Sequence, residues 1–219
     1  MQKIVYVINP NSNASVTQAM DKALDPLRRS DLPKIECVTL TDGPPGIASQ
    51  QDVDLAAVLV SQFARRHQAE AACFITACFS DPGLHALREI QSVPGFGISE
   101  CAMLTALTIG QHVGVIAMAQ GSIARHYRKW GAMGIHTRVA GEVSINRSVA
   151  SLSDEAETVA AMVVAARRLR DENRADVLVM GCAGMASYRD AVQDAVGVPV
   201  VEPTQAAVAM ALGRLQLGW

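Results

Sequence analysis

Two cysteines end apolar runs in matched settings. Cys78 closes "ACFITAC" and is followed by "FSDPGL"; Cys182 closes "VLVMGC" and is followed by "AGMASY". Continuously apolar runs of this length read as buried strands of a parallel sheet. Each thiol then stands at the carboxyl end of a strand, the edge where open α/β sheets take their ligands. One cysteine there is ordinarily packing. Two at equivalent places fit a pair: one thiolate removes a proton from carbon, and a thiol on the opposite face returns one, giving the mirror-image centre. A thiolate needs stabilising N–H groups, and Gly181, Ala183 and Gly184 leave the backbone beside Cys182 accessible. The same N–H groups can hold a carboxylate or a developing enolate oxygen. This chemistry calls for no cofactor: no metal, no nucleotide and no pyridoxal lysine.

The elements that must position these thiols repeat along the chain. "KIVYVINPN" predicts a strand over Ile4–Ile8, stopped by Asn9, Pro10 and Asn11. Ser12, Asn13 or Ser15 then caps a helix running to about Leu27. "KIECVTL" is a second strand, "TDGPPGIASQQD" a loop, and 52–68 a helix with Leu55, Val58, Leu59 and Phe63 at helical spacing. "AACFITAC" is the third strand, "VPGFGIS" the fourth, and a helix begins near Glu100. The order then restarts. "HVGVIAM" aligns with "KIVYVIN", "DVLVMGCAGM" with "ACFITACFSD", and "VGVPVVEPTQAAVAMAL" with "VPGFGISECAMLTAL". In between lie a helix in "SIARHYRKWGAMG", a strand in "HTRVAGEVSIN" and a helix over 154–173. Strands alternating with helices predict an α/β fold of two pseudo-symmetric lobes, each a parallel sheet flanked by helices, with a cleft between them. The first lobe is expected over 1–107, joined by the C-terminal helix at about 205–219, and the second over 108–204.

The chain has 219 residues, half of them hydrophobic, and a formal net charge of −2 without a basic stripe. Nucleic acid is therefore not an expected partner. No apolar run reaches the ~20 residues of a membrane span, and the amino terminus lacks the long apolar region of a signal peptide. Five cysteines without framework spacing predict free thiols and a cytoplasmic location. Cys37, Cys73 and Cys101 are assigned to packing. His67, His85, His112, His126 and His136 lack zinc-ligand spacing, and no CxxC or GxGxxG is present. His126 is expected on a solvated or half-buried helix face.

"VINPNSN", "ACFSDPGL" and "GCAGM", in this order, resemble the motifs of the aspartate/glutamate/hydantoin racemase superfamily, in particular its hydantoin and allantoin racemase branch. The resemblance spans nearly the whole chain. It implies a cofactor-independent isomerase with Cys78 and Cys182 as the catalytic acid/base pair. It assigns substrate contacts to Asn11, Phe79, Ser80, Ala183 and Gly184, with Gly121 and Ser122 of "AQGS" added beside the second-half opening strand. The implied substrate is a small molecule, a 5-substituted hydantoin or a related amino-acid derivative; the alternatives are a maleate-type cis–trans isomerase, a decarboxylase or a free amino-acid racemase. A homo-oligomer is expected by analogy. Where the branch tends to carry a Thr-Thr pair, this chain has Ala117-Met118; where it usually has Gly before Asp-Pro-Gly, this chain has Ser80.

Overall fold

A computed structural model describes residues 3–90, 92–147 and 155–219. Two four-stranded sheets are present, and every strand pairing is parallel. The first holds β1 (Ile4–Asn9), β2 (Lys34–Thr39), β3 (Ala71–Thr76) and β4 (Gly95–Gly97), in the order β2-β1-β3-β4. The second holds β5 (Val113–Ala117), β6 (Val139–Ser144), β7 (Val177–Met180) and β8 (Val200–Val201), in the order β6-β5-β7-β8. The orders are the same, as the internal repeat predicts. Helices α1 (Ala14–Ala23), α2 (Gln50–His67), α3 (Leu84–Arg88) and α4 (Ile98–Ile109) alternate with the first set; α5 (Ile123–Ala132), α6 (Glu155–Asp171), α7 (Arg189–Val196) and α8 (Pro203–Leu217) alternate with the second.

The backbone contacts repeat as closely as the order. Ala77 N–H donates to Ile8 O at 2.8 Å, and Gly181 N–H to Ile116 O at 2.8 Å. Leu40 N–H reaches Asn9 O at 3.0 Å, and Ile145 N–H reaches Ala117 O at 2.9 Å. Phe74 N–H reaches Pro94 O at 2.9 Å, and Leu178 N–H reaches Pro199 O at 2.8 Å.

The chain divides into two compact units: Met1–Cys101 with Thr204–Trp219, and Ala102–Pro203. The first is filled around Tyr6, Ile8, Phe63, Phe74 and Leu87, all buried. The C-terminal helix belongs to it: Gln205 Nε2 donates to Ala23 O at 2.7 Å, and the Arg214 guanidinium lies 5.8 Å from the centre of the Phe96 ring. The second is filled around Ile116, Met162, Leu169, Leu178, Met180 and Met185. Both cores combine strand residues with helix residues packed on them, Phe63 and Leu87 in the first and Met162 and Leu169 in the second, as a sheet covered by helices requires.

Two local expectations are corrected. The first helix ends at Ala23, and a 3₁₀ turn over Asp25–Leu27 replaces its last turn, because Pro26 lacks the N–H an α-helix needs. His126 is neither solvated nor half-buried: it is 3% exposed, and its Nδ1 lies 2.6 Å from Glu142 Oε1 on β6. The helix predicted over 154–173 is described from Glu155 to Asp171; Asp154 lies outside the described residues. No helix among the described residues is long and apolar enough to cross a membrane.

Candidate active site

Both cysteines stand just past the carboxyl end of the strand that pairs with the opening strand of their half. In each sheet the neighbours of that strand pair are reached by crossovers in opposite directions, and such a switch point opens a crevice for ligands. Cys78 follows β3 by two residues, Cys182 follows β7 by two. Each begins the same turn: Asp81 N–H donates to Cys78 O at 2.8 Å, and Met185 N–H to Cys182 O at 3.1 Å. All five cysteines are thiols.

In the first unit a set of short polar side chains shapes the strand ends. Asn9 is fully buried; its Nδ2 donates to Asn11 Oδ1, Asn13 O and Thr17 Oγ1 at 3.1–3.2 Å. Asn11 Oδ1 also accepts from Asn13 N–H at 2.9 Å. With its oxygen used twice, Asn11 presents its amide nitrogen as the remaining donor. Asn11 is 7% exposed. Next to Cys78, Phe79 is buried and Ser80 is part-exposed. Asp81 has φ of 45°, a left-handed conformation that Asp tolerates better than most residues. Its Oδ1 accepts from Ser99 N–H and its Oδ2 from Glu100 N–H, both at 2.9 Å, so it caps the start of α4. Thr76 Oγ1 donates to Pro82 O at 3.0 Å, tying the turn to the strand it leaves.

In the second unit, Gly181 is required by close backbone approach: a Cβ there would lie 2.6 Å from Ile116 O. Cys182 then caps a 3₁₀ turn over Ala183–Tyr188, and Gly184 N–H donates to its Sγ at 3.4 Å. One amide expected to hold ligand is thus aimed at the thiol. The structure also changes the expected charge on that thiol. Burial pushes Cys182 up to about 11; the Gly184 N–H pulls the other way, and Glu202 adds to the rise. Ala183 and Gly184 are buried.

Ala117 is fully buried, and Met118 packs on the apolar cluster that also carries Cys182. Gly121 is exposed, and Ser122 Oγ donates to Ala119 O at 2.8 Å within its own turn. The first unit therefore gathers Asn11, Cys78, Phe79 and Ser80 at one sheet edge. The second gathers Cys182, Ala183 and Gly184 after β7, with Gly121 and Ser122 after β5. Cys73 and Cys101 are buried and Cys37 part-buried, and burial pushes each to about 12, in keeping with packing. Sequence reasoning missed Asn9, Asp81 and Glu202. Asn9 and Asp81 lie inside the quoted stretches "VINPNSN" and "ACFSDPGL" without any sign of what they contact, and Glu202 shows only as an acidic residue ending the apolar run "VPVVE".

Two matched α/β halves, each ending a central strand in a cysteine turn, define a duplicated, racemase-type fold. The chain belongs to the Asp/Glu/Hydantoin racemase family, whose model matches residues 5–211. It is 33% identical over 229 residues to a hydantoin racemase of Rhizobium meliloti, covering 98% of this chain and 90% of that one. Among solved structures it is similar to an allantoin racemase from Pseudomonas fluorescens, with a TM-score of 0.91 and 27% identity over 98% of this chain and 92% of the other. An arylmalonate decarboxylase shares the fold at a TM-score of 0.71 and 19% identity, covering 99% of this chain and 94% of that one.

Proposed function

We propose that this chain is a cofactor-independent racemase in which Cys78 and Cys182 act on opposite faces of one carbon beside a carbonyl. The observation that carries the reading is the pair of cysteine turns, equivalent in strand position and in the i to i+3 bond that closes each. In one direction a Cys78 thiolate takes the α-proton, leaving an enolate. The Cys182 S–H bond then breaks and its proton goes to the other face of the carbon. The protonation states of the two sulfurs are exchanged and the composition of the substrate is unchanged. The Asn11 amide nitrogen is the donor for a substrate carbonyl oxygen, where negative charge develops.

The substrate class is a 5-substituted hydantoin or a related amino-acid derivative. Family membership and the similarity to hydantoin and allantoin racemases support that class. Within it, Ala117 and Met118 offer no hydroxyl. A uniformly polar substrate that needed one would leave an atom unpaired, at about 1–3 kcal/mol. A 5-alkyl hydantoin is therefore favoured over allantoin.

The test is incubation in deuterated water with a 5-alkyl hydantoin, allantoin, an arylmalonate, maleate and free aspartate. Exchange at the α-carbon with loss of optical rotation is expected, with higher kcat/KM for the alkyl hydantoin. Cys78→Ser and Cys182→Ser should each abolish racemisation, retaining at most proton exchange from one enantiomer. Full activity in either variant removes the two-base reading; release of carbon dioxide or formation of fumarate replaces racemisation altogether.

A further inference from the structure

The two halves each bury a carboxylate near the fourth strand, and they do it by different routes. Pro94 and Pro199 are matched by the bonds they accept from Phe74 and Leu178. The third residue after Pro94 is Gly97; the third after Pro199 is Glu202. In the first half the carboxylate comes from the cysteine turn: a Cβ on Gly97 would land on the carboxyl group of Asp81. In the second half the residue at the Asp81 place is Met185, apolar and fully buried. There the carboxylate comes from the strand side, as Glu202, which is 2% exposed.

That exchange brings the acid to the thiol. Val200 and Val201 pair with Leu178 and Val179 in parallel register, so Glu202 continues beside the stretch Met180-Gly181-Cys182. Burial does most to raise the Cys182 thiol and the Gly184 N–H lowers it; Glu202 adds a smaller rise of its own. Asp81, by contrast, places both of its oxygens on the α4 amides of Ser99 and Glu100.

We propose that Glu202 is the charge-setting partner of Cys182, a positioning residue that makes Cys182 the proton-donating thiol of the pair when no substrate is bound. The donor role rests on the two-cysteine reading above. A thiolate left at Cys182 after proton delivery stands near a second negative charge in a half-buried place. Repulsion between like charges favours reprotonation, so Cys182 reloads as a donor while Cys78 serves as the resting base. The Gly184 N–H on the sulfur keeps the transient thiolate accessible.

The experiment is alkylation by iodoacetamide between pH 7 and 9, where the chain stays folded, mapped by peptide mass spectrometry, on the full chain and on Glu202→Gln. In the unmodified chain Cys182 should react at least about tenfold more slowly than an ordinary thiol throughout this range. In Glu202→Gln it should react about tenfold faster, while the Cys78 rate stays in place. An unmoved Cys182 rate overturns the pairing. So does a rate at or above that of an ordinary thiol in the unmodified chain, a result that needs no variant to fold. The readout does not depend on turnover. A chain that shows the rate change but does not racemise supports the Glu202–Cys182 pairing and overturns the two-cysteine reading beneath the donor role.

Discussion

Asp81 joins three features that the sequence shows separately: a turn, a helix start and a glycine. Its backbone is left-handed, its carboxylate caps α4, and Gly97 makes room for it. Asp81→Ala removes two bonds to helix amides and should cost about 1–2 kcal/mol of stability. Gly97→Ala should also destabilise the chain, because its Cβ meets the carboxyl group. The two losses should not add: Gly97→Ala made in Asp81→Ala should cost distinctly less than in the original chain. Urea melts of the four proteins measure this, and additive losses would show that Gly97 does not exist for Asp81. The turn itself was legible, because Pro82 and Gly83 punctuate it. Its cap was not, since Asp81 and Ser99 are brought together only by the β3–β4 pairing. The same holds for His126, whose partner Glu142 lies on another element and pulls it out of the solvent-facing position expected from its helix alone.

Elements were legible where the local signal and the tertiary demand agree. α2 begins at a capping box in which Asp52 N–H donates to Ser49 Oγ at 3.1 Å and Ser49 N–H to Asp52 Oδ2 at 2.8 Å. Its apolar spacing and that cap point to one helix, and one is found. Ser49→Ala should therefore lower stability by about 0.5–2 kcal/mol with kcat and KM unchanged, since α2 carries none of the candidate site residues. A kinetic effect at constant fold would give α2 a part in the site that its position does not explain. The fourth strands were legible as extended runs, but their length was not. β4 has three residues and β8 two, because each gives way almost at once to a helix, α4 at Ile98 and α8 at Pro203. The apolar pattern of the first helix runs on through Leu24 and Leu27, past the point where Pro26 turns the chain into a 3₁₀ turn, so the pattern alone predicts too long a helix. Of the site, the two cysteine turns can be read from the repeat, whereas the roles of the acids around them cannot: Asp81 and Glu202 occupy non-equivalent positions in the two halves, so alignment of the repeats does not bring them out.

At the scale of the whole molecule, the buried and half-buried thiols make a collective contribution to stability. Cys37, Cys73 and Cys101 are pushed from 9.0 to about 12 and Cys182 to about 11, in every case chiefly by burial. Below pH 9 each is protonated whether the chain is folded or not, and its contribution is fully present. Above pH 9 the unfolded chain ionises first, while the folded chain keeps its protons. Stability therefore falls as pH rises, and the contribution is lost on passing 11 to 12. One thiol gives a slope of about 1.4 kcal/mol per pH unit. Four acting together approach about 6 kcal/mol per unit, comparable with the whole stability of an ordinary domain. The chain should thus unfold cooperatively not far above pH 9, well before its tyrosines and lysines ionise as a class. Urea midpoints measured between pH 7 and 10.5 check this. Cys73→Ala should be less stable at pH 7, because it leaves a small cavity, yet its alkaline slope should be shallower by roughly a quarter, one of four such groups having gone. An unchanged slope would mean that Cys73 ionises alike in the folded and unfolded chain, and that the alkaline limit lies with other groups.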